Sequence, residues 1–66
     1  MLDEVKITTL MEIHGMSMKQ MGELIGLSKS MCYWLLQDKR DMKVKWLRVW
    51  ATRFNVSMDE LWKEKT

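Results

Sequence analysis

Residues 16–36 read MSMKQMGELIGLSKSMCYWLL. Two serines in this run, Ser17 and Ser28, each stand just before a short amphipathic stretch. Serine is a favoured N-cap because its hydroxyl accepts from a backbone N–H that the first helical turn leaves unpaired. After Ser17, Met21, Leu24 and Ile25 recur at helical spacing, and after Ser28 so do Cys32, Leu35 and Leu36. Gly26 ends the first stretch, Leu27 plugs the turn and Ser28 opens the second. Gly22 carries no side chain, so another helix can pack very close to it. The run predicts two short helices joined by the three-residue turn Gly26-Leu27-Ser28.

Outward from this run the chain continues to read as helix. An apolar face of Ile7, Leu10, Met11 and Ile13 predicts a helix over 3–14, with Asp3 and Glu4 at its positive end and Gly15 as the residue that stops it. His14 belongs to that helix end, near its carbonyls. Residues 37–42 form a polar connection. Val44, Leu47, Trp50, Ala51 and Phe54 make the apolar stripe of a helix over 43–54, which Asn55 closes. Val56 returns to the core. Ser57 and Glu60, three apart, form a capping box for a last short helix with Leu61 and Trp62 on its apolar side. No stretch alternates with period two, so no strand is expected. The expected fold is all-α, a compact five-helix domain spanning residues 1–66, with the two-helix unit at about 17–37.

Two short helices joined by a tight turn are the pattern of a helix-turn-helix, whose second helix stands out from the body and can enter a DNA major groove. Charge agrees with that use. The chain of 66 residues has a formal net charge of only +2. Residues 29–53, however, carry Lys29, Lys39, Arg40, Lys43, Lys45, Arg48 and Arg53 against Asp38 and Asp41, a local +5. A basic middle between acidic flanks suits a phosphate backbone.

Other classes find little support. One His and one Cys, with no Gly-rich phosphate loop and no cluster of metal-ligand spacing, argue against an enzyme, a metal site or a cofactor. Cys32 reads as a small core residue. No run of 18 apolar residues suggests a membrane span, and no charged-then-apolar leader suggests export, so the cytoplasm is the expected compartment.

The whole pattern resembles the lambda-repressor-like family of helix-turn-helix domains, which includes small Cro-like phage regulators. The supporting residues are Ile7-x-x-Leu10, Gly15-Met16-Ser17, Met21-Gly22-x-x-Ile25-Gly26-Leu27-Ser28, Lys39-Arg40, Leu47-x-x-Trp50-Ala51-x-x-Phe54 and Asn55-Val56-Ser57-Met58-Asp59-Glu60-Leu61. They run in order from Ile7 to Trp62. The chain departs from the family at four places. Met18 stands where a glutamine commonly opens the second helix, Asp38 where a glycine follows the third, and Met42 where a proline precedes the fourth. Trp34 lies one place before the family's usual bulky residue, which here is Leu35. The resemblance implies a transcriptional regulator of phage or mobile-element origin that represses by occupying an operator. Within these 66 residues no separate effector domain is expected.

Helix geometry then assigns roles. With Cys32, Leu35 and Leu36 inward, Lys29, Ser30, Tyr33, Trp34 and Gln37 face outward or flank the rim. Lys29 can reach a guanine edge or a phosphate, and Ser30 a base edge or a phosphate. Tyr33 can bond a phosphate or pack on a thymine methyl. Gln37, Lys39 and Arg40 follow the helix, where the family touches the backbone. Lys19 and Gln20 can hold the neighbouring strand, and Ser28 can add a phosphate contact to its capping role. Trp34 has three readings: an apolar contact in the groove, part of a protein interface, or a residue buried by a small rotation. Trp46 and Val49, with Met58 and Trp62, form a second apolar set expected to make a homodimer contact or to pack within the chain. A two-fold dimer would place two recognition helices about 34 Å apart on a near-palindromic operator. The competing function is a protein-binding module on the same fold, such as an antirepressor or a partner-docking subunit.

Overall fold

The structure is a computed structural model and describes residues 1–63. It is all-helical, with five helices: α1 (Glu4–His14), α2 (Met18–Leu24), α3 (Lys29–Leu36), α4 (Val44–Phe54) and α5 (Met58–Leu61). Among the described residues β pairing is limited to one isolated antiparallel bridge, Leu2 with Trp62. There Asp3 N–H donates to Leu61 O (2.9 Å) and Lys63 N–H to Met1 O (2.7 Å). No helix among them is long and apolar enough to cross a membrane.

One local device recurs at three of the four junctions. Gly15-Met16-Ser17, Gly26-Leu27-Ser28 and Asn55-Val56-Ser57 each run as a left-handed residue, an apolar residue and a serine cap. The left-handed residue stops one helix through paired backbone bonds, the Schellman arrangement. Met16, Leu27 and Val56 N–H donate to Met11 O (2.8 Å), Gly22 O (2.9 Å) and Ala51 O (3.0 Å). Gly15, Gly26 and Asn55 N–H donate to Glu12 O (3.3 Å), Glu23 O (3.3 Å) and Thr52 O (3.1 Å). The serine then starts the next helix within one residue. Ser17 and Ser28 hydroxyls accept from Gln20 N–H (3.2 Å) and Met31 N–H (3.3 Å).

The apolar residue between them does a second job. It precedes the N-cap, and the residue five places on faces it across the first turn, the hydrophobic staple. All five helices have apolar residues at both positions: Leu2 and Ile7, Met16 and Met21, Leu27 and Cys32, Met42 and Leu47, Val56 and Leu61. The second member of every pair is buried, and every first member is buried or packed against the core. Local capping and global burial therefore use the same side chains.

Fully enclosed Trp50 sits at the centre with Ile7, Met21, Leu35, Cys32 and Leu61. Its Nε1 donates to Met21 O at 3.0 Å. That carbonyl is free because Ile25 N–H turns to Gly22 O (3.0 Å), one residue short of the α-helical partner. The bond ties α4 to α2, and nothing in the apolar pattern announced it. Leu2 joins the core as well, which the sequence reading missed.

Four expectations about packing need correction. Ile13 is 72% exposed, because the stripe of Ile7, Leu10 and Met11 continues at i+7 to His14. The His14 ring lies 5.2 Å from the Phe54 ring, so this histidine meets an aromatic ring at the end of α1. Leu24 is half-exposed at the edge of the α2 stripe. Val44 is 63% exposed; it is the first residue of α4, and its side chain leans back past the helix start. Around Gly22 the close neighbour is turn backbone rather than a helix body: a Cβ there would meet Leu27 O at 2.6 Å and Ser28 O at 3.0 Å.

Candidate nucleic-acid interface

The outer face of α3 is built by subtraction. Cys32, Leu35 and Leu36 are buried, which fixes the rotation of the helix about its axis. Lys29, Ser30, Tyr33, Trp34 and Gln37 are then all exposed, at spacings that place them on one side. Tyr33 is 44% and Trp34 49% accessible, so Trp34 is not turned into the core. Lys29 and Ser30 are the first two helical residues, at the positive end of the helix dipole.

The rotation of α3 is held from three sides. Burial pushes the Cys32 thiol up to about 11, so at neutral pH it stays a protonated, unreactive core group. Ser28 caps the start. At the far end Lys39 N–H donates to Trp34 O (3.0 Å) and Asp38 N–H to Leu35 O (3.1 Å). The same stop signal that glycine provides elsewhere here requires Asp38 at φ 60°, the position where the resembled family places glycine.

The expected contact residues are distributed as follows. Lys19 and Gln20 are exposed in the first turn of α2. Gln20 Oε1 is occupied, accepting from Ser17 N–H at 2.8 Å in a capping box, which leaves its amide N–H groups to donate outward. The Ser28 hydroxyl accepts from Met31 N–H and keeps its own proton to donate. Lys39 and Arg40 are exposed just beyond α3. Lys29, Ser30, Tyr33 and Trp34 come together, and with Met18 they line one open hollow of about 560 Å³. Met18 entered the sequence reading only as a departure from the family pattern.

The second apolar set divides. Trp46 and Met58 are half-buried against the core of their own chain. Lys43 Nζ covers the Trp46 ring at 5.2 Å from its centre. Val49 and Trp62 are exposed. Trp62 lines a small apolar hollow with Met42, Lys43, Val44 and Leu47, of about 130 Å³, and neither Trp46 nor Val49 belongs to it.

Compared with known proteins, the chain matches no family model, no curated protein and no solved structure. The functional reading therefore rests on the residues and their arrangement.

Proposed function

We propose that α2 and α3 act as a helix-turn-helix of lambda-repressor-like type and that the protein is a sequence-specific regulator binding double-stranded DNA. The observation that carries this reading is the outer face of α3. Five exposed residues, Lys29, Ser30, Tyr33, Trp34 and Gln37, lie on a helix whose rotation is fixed by three buried ones. Lys39 and Arg40 continue that surface, Lys19 and Gln20 flank it, and the surrounding segment 29–53 carries the chain's positive excess. Lys29 and Ser30 read base edges or hold phosphate, and the flanking residues fix register on the backbone. Regulation is repression by occupying the operator, as in the small Cro-like phage proteins, in a bacterial cytoplasm.

Two copies bind together in this reading. The molecule measures 30 × 24 × 20 Å, so two side by side can set equivalent faces about one DNA turn, ~34 Å, apart. The exposed Val49 and Trp62 supply the contact, since Trp46 and Met58 are already half-used within the chain. A protein-docking role for the same face is the second reading. It is favoured by the exposure of Tyr33 and Trp34.

Selection from random duplex DNA at two salt concentrations separates the two. The DNA reading expects an enriched inverted repeat whose binding falls steeply with salt and is lost in Lys29→Ala. A pool that stays random at low salt overturns it.

A further inference from the structure

We infer that the hollow between the first turn of α2 and the outer face of α3 is a site for thymine methyl groups. This rests on the DNA reading above and adds to it the base that the site selects.

The lining is divided by chemistry. Lys29 and Ser30 stand in the first turn of α3 and Tyr33 and Trp34 one turn later, and Met18, from the first turn of α2, lines the same hollow. Met18 packs against the core, so the wall that it forms is supported from behind. The base edges on a major-groove floor offer hydrogen-bond donors and acceptors, and the apolar group among them is the thymine C5 methyl. Laid over any other base, the apolar lining of Met18, Tyr33 and Trp34 would strip water from polar groups without replacing their bonds. Over thymine it covers a methyl instead.

Charge argues for DNA as the occupant. Lys29 lines the hollow, Lys19 is exposed beside Met18 in the first turn of α2, and no acidic residue belongs to the lining. That suits a polyanion better than the apolar side chain of a protein partner. The spacing along α3 sets the order of bases. The five residues from Lys29 to Trp34 rise about 7.5 Å along the helix, against about 3.4 Å per base-pair step. A thymine under Trp34 therefore lies about two steps from the base or phosphate that Lys29 contacts.

The test replaces each thymine of the selected operator, one at a time, by deoxyuridine, which removes the C5 methyl alone. Binding is followed by fluorescence anisotropy at fixed salt. One symmetry-related pair of positions should lose about fourfold in affinity per replacement, the worth of one buried carbon at ~0.8 kcal/mol. In Trp34→Ala and Met18→Ala the thymine and uracil operators should bind alike, while Lys39→Ala should weaken both equally. Because the change is made in the DNA, the wild-type result does not depend on any variant folding. Insensitivity to uracil at every position overturns the inference while leaving DNA binding intact. So does persistence of the uracil effect in both hollow variants, or unchanged operator binding by Trp34→Ala, which would leave the hollow to a protein partner. Absence of any salt-sensitive duplex binding removes the DNA reading and this inference with it.

Discussion

Gly22 shows how one missing side chain sets the geometry of α2 against α3. The backbone of the following turn lies where a Cβ would be, 2.6 Å from Leu27 O, and Leu27 N–H donates to Gly22 O. In Gly22→Ala, α2 and the turn must separate. Overpacking of this kind destabilises by about 1–3 kcal/mol, which lowers the melting temperature of a domain this size by at least ~5 °C. An unchanged thermal transition would contradict the account. Asp38 is the reverse case. A non-glycine residue at φ 60° carries local strain. Asp38→Gly relieves it, with part of the gain offset by greater freedom in the unfolded chain, and also removes a negative charge beside Lys39 and Arg40. The melting temperature should rise by an amount equivalent to about 0.5 kcal/mol, and duplex binding at low salt should strengthen. Loss of stability would show that the aspartate holds its turn by a contact of its own.

At the scale of elements, the repeated junction of a left-handed residue, an apolar residue and serine explains why the order of helices was legible from sequence. Gly15, Gly26 and Asn55 marked the ends, and Ser17, Ser28 and Ser57 marked the starts. The buried sets on α3 and α4 followed from spacing, with Val44 added to the second in excess. What escaped was whatever periodicity does not encode. Ile13 and Val44 are apolar yet face outward, because rotation about a helix and the direction of its first side chain are decided by the neighbours. The Trp50 bond to Met21 O depends on how the last turn of α2 tightens. Leu2 was overlooked although it stands one residue before the Asp3 cap, a staple position visible in the sequence. Of the candidate site, the outward residues of α3 were legible from their buried counterparts, whereas Met18 was not, since it comes from a different helix. The junction before α4 breaks the pattern. Lys43 is its N-cap and makes no side-chain cap bond, because an ammonium cannot accept from a backbone N–H. Lys43→Ser should stabilise the protein by ~1 kcal/mol, seen as a higher denaturant midpoint. A lower midpoint would mean that its contact with Trp46 outweighs the missing cap.

For the whole molecule, the surface offers two faces at once. The outer face of α3, with Lys39 and Arg40 beyond it, is proposed for DNA, and the exposed Val49 and Trp62 are proposed for a second copy. Trp62 is the better place to test the second, since substituting the half-buried Trp46 would disturb the core. Trp62→Ala should lower the sedimentation-derived mass toward the monomer at a given concentration while leaving the helical circular dichroism intact. An unchanged mass distribution removes Trp62 from the interface.

The central claim is that the outer face of α3 is the surface that meets duplex DNA. NMR chemical-shift mapping of the labelled protein, titrated with the selected duplex, tests it most directly. The account predicts shifts concentrated at Lys29, Ser30, Tyr33, the Trp34 indole and Gln37, extending to Lys19, Lys39 and Arg40 and reversing as salt is raised. Shifts centred on the exposed Val5 and Ile13 of α1, or none at any salt concentration, would contradict it.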